Sequence, residues 1–89
     1  MALVLKNYME DIVEDNLDSV LRSAGCCACE ACRLDVKAWA LNQLKPVYVV
    51  SEKGGMFAKL NEMTLQFNTD VIAAIAGGIN VVNQRPRHQ

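Results

Sequence analysis

Between residues 3 and 23 the apolar positions Leu5, Tyr8, Met9, Ile12, Val13, Leu17, Val20 and Leu21 recur at steps of three and four, with carboxylates on the opposite side. This period places one apolar stripe along an α-helix and predicts a helix over 3–23. Asn7, with Glu10 three residues later, has the form of a capping pair, and Gly25 is a natural stop. The helical pattern resumes from Ala31 through Leu34, Ala38, Leu41 and Leu44, with Trp39 as a large apolar anchor. Pro46 ends it, because a proline pushes the residue before it out of the α region.

Val47 to Val50 reads as a short extended piece, and Ser51-Glu52-Lys53-Gly54-Gly55 as a turn or exposed loop. In the last third, Met63, Phe67, Val71, Ile75, Ile79 and Val82 predict a further helix, capped at Asn61 or Thr64 and closed by Arg85-Pro86. Gly77-Gly78 falls inside it, at about 1 kcal/mol per Gly relative to Ala. The small pairs Ala73/Gly77 and Ala74/Gly78, four apart, let another backbone come close; a local kink is the competing reading. The expected fold is all-α: one domain over residues 1–89, about three to four helices joined by a cysteine-rich turn, with no repeat or linker.

Size and charge narrow the function. A domain of 89 residues buries only about 60–65% of the surface its unfolded chain exposes, so a metal or a partner subunit is a common supplement. Hydrophobic residues make up 52% of the chain and charged ones 21%, enough for a packed core with apolar surface left over for a subunit interface. A formal net charge of −1 gives no reason to expect direct DNA or membrane binding. Acidic residues crowd the first segment (Glu10, Asp11, Glu14, Asp15, Asp18), whereas Arg85, Arg87 and His88 lie at the other end. Met1 to Leu5 is too short for the apolar region of a signal peptide, and Val71 to Val82 too short to span a membrane, so a cytoplasmic protein is expected.

The four cysteines, Cys26, Cys27, Cys29 and Cys32, fall within seven residues and form two overlapping C-x-x-C spacings. Two thiolates on a tight turn reach one tetrahedral Zn²⁺ at ~2.3 Å each, and a following helix start favours thiolate over thiol. All four are therefore candidate metal ligands, and a closed thiolate site, with no open position for substrate, is structural. Iron–sulfur chemistry fits the ligand type, but zinc is the simpler occupant of one short loop. Adjacent Cys26 and Cys27 cannot both turn inward easily, which leaves His88 or a residue of a partner subunit as an alternative fourth ligand. Disulfides fit poorly in a reducing compartment, and a thioredoxin-type motif lacks its βαβ unit; a redox switch and plain buried thiols are the remaining alternatives.

The run Cys27-x-Cys29-x-x-Cys32-Arg33-Leu34-Asp35-Val36-Lys37-Ala38-x-Ala40-Leu41-Asn42 resembles the late competence development protein ComFB family. The likeness continues through Pro46-Val47-Tyr48-Val49-Val50 and Glu52-Lys53-Gly54 to Pro86-Arg87-His88, and covers nearly the whole chain from Asn7-Tyr8. This sequence departs from the family pattern at Lys45-Pro46, where two prolines are frequent, and in the extra Cys26. The resemblance implies a small helical cytoplasmic homodimer with zinc on its cysteines. Members in bacilli are linked to a DNA-uptake competence operon without an assigned activity. Similar domains in cyanobacteria act as receptors for c-di-GMP and c-di-AMP.

Such a ligand requires cations for two phosphates, polar groups for base edges and a flat stacking surface. The candidates are Arg33, Lys37, Lys59, Arg85 and Arg87 for charge, Asn42, Gln66 and Asp70 for base edges, and Tyr48 for stacking. Each also has a plain structural reading, as solvated helix face, helix end or edge of the core. The leading expectation is a non-enzymatic, zinc-containing dimeric receptor or signalling adaptor for a cyclic dinucleotide. The alternative is a competence-related protein-interaction module with a structural zinc and no small ligand. Enzymatic activity is not expected, since no Ser-His-acid set is present and Lys53-Gly54-Gly55 lacks the spacing of a phosphate-binding loop.

Overall fold

The computed structural model describes residues 3–27, 29–52 and 57–84, with positions 51, 52 and 57–66 described by their backbone alone. The order is β1 (Leu3–Asn7), α1 (Met9–Ala24), α2 (Glu30–Gln43), β2 (Tyr48–Glu52) and α3 (Phe57–Gln84). The fold is mostly helical with a small two-stranded sheet, which corrects the all-α expectation. Strands β1 and β2 pair antiparallel, with Leu5 opposite Val50 and Asn7 opposite Tyr48.

The first helix accordingly starts six residues later than its periodicity suggests. Leu3, Val4 and Leu5 match a helical period by residue type, but pairing with 48–52 satisfies their backbone in extended form. Asn7 does not cap the helix as expected; the N-cap is Tyr8. The Asn7 Oδ1 instead accepts from the backbone N–H of Met9 (3.2 Å) and of Val47 (2.8 Å), pinning the start of α1 to the approach of β2. A further bond from the Tyr8 N–H to the Val47 carbonyl (2.7 Å) closes that corner.

The core is the meeting of three helical faces. Met9, Ile12, Val13, Leu17 and Leu21 from α1 and Val71, Ile75, Ile79 and Val82 from α3 are buried, as the periodicity predicts, and Ala74 joins them; Tyr8 and Val20 of the expected stripe are only partly covered and Leu5 is exposed. Replacing a fully buried residue such as Leu17 by Ala costs about 2–5 kcal/mol at sites of this kind. On α2 the buried face is Cys32, Val36 and Ala40, whereas Leu34 and Ala38 of the expected stripe are exposed and Leu41 and Leu44 are only partly covered. Gly77 and Gly78 continue α3 without a break and bring its backbone against Trp39 and Val36 of α2. The helix begins at Phe57, ahead of the expected caps at Asn61 or Thr64, and ends at Gln84, next to the expected Arg85-Pro86 stop. Among the described residues, no helix is long and apolar enough to cross a membrane.

Candidate metal centre and a separate cavity

Helix α1 stops at Gly25, whose left-handed backbone (φ 65°, ψ 26°) suits glycine because it has no Cβ. The Cys26 N–H then reaches back to the Leu21 carbonyl (3.0 Å), the long bond of a Schellman-type stop. This turn delivers the cysteine loop to the start of α2. Cys29 is the N-cap residue of α2, and the Arg33 N–H makes the first helical bond to its carbonyl (2.9 Å).

The thiol sulfurs of Cys27, Cys29 and Cys32 all lie within 4.8 Å of one another. Tetrahedral coordination at ~2.3 Å per Zn–S bond needs sulfurs about 3.8 Å apart, so a small inward movement completes three corners. The donor set fits a thiophilic ion, and these three cysteines could hold a metal. Hydrogen bonding from the Cys32 backbone N–H, and next from its thiol, holds the Cys29 thiol below its usual pKa, as expected at a helix start. Burial, reinforced by the Cys29 side chain, pushes Cys32 up to about 12. Binding an ion therefore has to displace the Cys32 proton. Cys26, the fourth expected ligand, is not part of this mutually close group. Its Sγ points to the Asn83 Oδ1 (3.6 Å) near the end of α3, and burial raises its pKa. His88, the alternative fourth ligand, lies outside the described residues.

Among the described residues, the expected ligand candidates lie in different places. Arg33 donates to Glu14 (2.9 Å) and Asp18 (3.0 Å), and Lys37 reaches the other oxygen of Glu14 (3.0 Å). Both cations thus clamp α2 to the acidic face of α1, and both raise the charge stability of Glu14, whose pKa is lowered chiefly by the Arg33 hydrogen bond. Asn42 and Tyr48 are exposed. Arg85 and Arg87, and the side chains of Lys59 and Gln66, lie outside the description.

Asp70 belongs to a different feature, a partly open cavity of about 780 Å³ where the C-terminal end of α2 faces α3. Trp39 and Phe67 give it aromatic walls, and Gln43, Lys45 and Asp70 supply polar groups. From the sequence Trp39 is an apolar anchor, and Gln43 and Lys45 carry no local signal of a site. Their place on the cavity depends on the α2–α3 approach, which no local spacing reveals.

Comparison with known proteins agrees with this architecture. The family model of the late competence development protein ComFB matches residues 6–86. Competence protein ComFB of Bacillus subtilis (strain 168) is 30% identical over 84 residues, covering 93% of this chain and 86% of that protein. The solved structure of the late competence protein ComFB from Bacillus subtilis superposes with a TM-score of 0.76 at 30% identity, covering 93% of this chain and 92% of that one. With a match over nearly its whole length, this chain belongs to the late competence development protein ComFB family.

Proposed function

We propose that this chain is a non-enzymatic binding protein that acts as a homodimer, carries a structural zinc on Cys27, Cys29 and Cys32, and receives a cyclic dinucleotide such as c-di-GMP or c-di-AMP. The observation that carries the ligand reading is the cavity of about 780 Å³ between α2 and α3. Its volume falls in the range of small-molecule sites. Trp39 and Phe67 offer stacking surfaces, the Asp70 carboxylate accepts from base N–H groups, and Lys45 brings a cation for phosphate. Val47 lines the same cavity and leads directly into β2, so occupancy there bears on the exposed sheet. Zinc, when bound, ties the α1–α2 turn to the start of α2 and has no catalytic part.

A second reading, a competence-related protein-interaction module with no small ligand, is favoured by a specific observation. Arg33 and Lys37 are already occupied by Glu14 and Asp18, while Leu3, Leu5, Tyr48 and Val50 are exposed. Native mass spectrometry of the purified protein with and without c-di-GMP and c-di-AMP separates the two. The receptor reading expects a dimer with two zinc ions that gains nucleotide, and loses that gain in Lys45→Glu. A zinc-loaded dimer that ignores both nucleotides moves the function to the interaction module.

A further inference from the structure

We propose that Cys29 and Cys32 are a redox-active dithiol that closes reversibly to a disulfide, and that this closure sheds the metal ion from the thiol cluster. The disulfide stands on the geometry of the turn; its effect on the ion rests on the zinc reading above. Cys29 is the N-cap of α2 and Cys32 the third residue of that helix, and the Arg33 N–H bonded to the Cys29 carbonyl holds the register between them. Three residues apart at a helix start, two Cα atoms lie roughly 5–6 Å from each other, inside the ~4.4–6.8 Å that a disulfide spans. An N-cap side chain and the third helical side chain also turn toward one another, as in a capping box. The two sulfurs already lie within 4.8 Å.

The other cysteines are poorer partners. A Cys27–Cys29 bridge encloses a single residue, which the preferred disulfide geometry does not accommodate without strain. Cys27 precedes the helix and has no helical register to Cys32. The Cys26 Sγ is turned to Asn83, near the end of α3. Exposure assigns the order of attack, since Cys29 is partly exposed and Cys32 only 1% exposed. The Cys29 sulfur, as thiolate, attacks an oxygen of a hydroperoxide: the S–O bond forms, the O–O bond breaks, and the leaving oxygen takes up a proton. The Cys32 sulfur then attacks the Cys29 sulfur, forming the S–S bond and breaking the S–O bond. The departing hydroxide leaves as water with the Cys32 proton, or with one from solvent where an ion already holds Cys32 as thiolate. The two sulfurs give up two electrons to the peroxide, and a dithiol reductant returns them by exchange through a mixed disulfide. In reducing compartments such disulfides are transient and redox-sensing. With Cys29 and Cys32 bonded to each other, the cluster keeps only the Cys27 thiolate, too few donors for a tetrahedral ion.

Hydrogen peroxide added to the reduced full-length chain, with and without zinc, tests this. Free thiols are blocked with N-ethylmaleimide, disulfides are then reduced, and the newly freed thiols are labelled with iodoacetamide. Tandem mass spectrometry reads the tryptic peptide Ser23–Arg33, which carries all four cysteines. The iodoacetamide label is expected on Cys29 and Cys32 and the maleimide on Cys26 and Cys27, in the wild type and equally at Cys29 and Cys32 in Cys26→Ser. Dithiothreitol is expected to restore the four free thiols, and a chromogenic chelator to register zinc release in step with the disulfide. Cys29→Ser, a change at a partly exposed position that spares the core, is expected to leave Cys32 open to maleimide. Oxidation that ends in sulfinic acid with no disulfide, or a wild-type bridge that includes Cys26 or Cys27, overturns the dithiol. Zinc retained by a chain that carries the Cys29–Cys32 bridge overturns the shedding of the ion. The zinc reading fails separately: a chain that forms the bridge but takes up no zinc defeats that reading alone, and a zinc-loaded chain that forms no bridge, with or without its ion, defeats the dithiol alone.

Discussion

Gly77 on α3 lies so close to the indole of Trp39 on α2 that a Cβ at position 77 would stand 2.8 Å from Cζ3 and 2.9 Å from Cη2. The same approach continues at Gly78, where a Cβ would meet the Val36 carbonyl oxygen at 3.0 Å. Two glycines inside a helix cost about 1 kcal/mol each in propensity, and the close packing of α2 on α3 is what they make possible. The indole in turn forms a wall of the cavity.

Gly77→Ala therefore sets a propensity gain of about 1 kcal/mol against an overpacking cost of about 1–3 kcal/mol. The expected net effect is destabilisation by about 1 kcal/mol, with Trp39 displaced. Because Trp39 is the single tryptophan, its emission reports that displacement directly. Gly78→Ala presses on backbone and is expected to cost at least as much. Denaturant titration followed by tryptophan fluorescence checks both, and a stabilised Gly77→Ala with unshifted emission would show that the indole has room to move.

The thiol geometry makes a selective prediction among the cysteines. Serine at Cys27, Cys29 or Cys32 is expected to abolish tight metal binding, whereas Cys26→Ser should retain the ion, since Cys26 lies outside the mutually close group and its Sγ contacts Asn83. Cobalt substitution gives a thiolate charge-transfer band whose intensity counts the bound sulfurs. Loss of that band in Cys26→Ser would place Cys26 among the ligands. Metal uptake must also release protons, because Cys32 without an ion is held protonated up to about 12. Affinity is expected to rise with pH, and chelation to destabilise the α1–α2 turn.

Glu14 is the hub joining two cations of α2 to α1, and the sign of its pH dependence follows from its lowered pKa. A carboxylate with a depressed folded-state pKa contributes stability above its unfolded value, here 4.5, and loses it as pH falls through the lower folded value. The groups are well solvated, so the effect is at the surface-pair scale of about 0.2–1 kcal/mol. Glu14→Gln is expected to be less stable than wild type by that amount at pH 7, with the gap closing in the acid range. Equal stability of the two proteins at pH 7 in low salt would show that the cluster contributes nothing.

Much of this was legible in the sequence because helical burial is a local signal. The α1 and α3 faces came directly from three- and four-residue spacing, and the cysteine turn from its own composition. The errors share a cause. Leu3 to Asn7 is extended because residues 48–52 pair with it, a partnership across more than forty positions that leaves no local trace. The face of α2 that is buried, Cys32, Val36 and Ala40, is set by packing against other helices, with Val36 and Trp39 lying on Gly77 and Gly78 of α3. Arg33 and Lys37 have the residue types of a phosphate site, yet their partners lie one helix back, where α1's acidic face reads from sequence as mere solvation.

Gly25 isolates backbone strain from packing. Its φ of 65° places it in the left-handed region, and a Cβ added there would meet nothing within 4 Å. Any penalty of Gly25→Ala is then conformational, about 1–2 kcal/mol for an L-residue in that region. For a domain of this size 1 kcal/mol lowers Tm by roughly 4–8 °C. Asn tolerates the left-handed conformation better than Ala, so Gly25→Asn is expected to be the milder change. The turn also sets where Cys26 leaves α1, through its bond to the Leu21 carbonyl, and so fixes the entry of the thiol loop. Thermal melts of metal-free protein are expected to rank wild type above Gly25→Asn above Gly25→Ala. An alanine variant as stable as the asparagine variant would mean that the helix can stop by another route, and that the cysteine turn does not depend on the glycine.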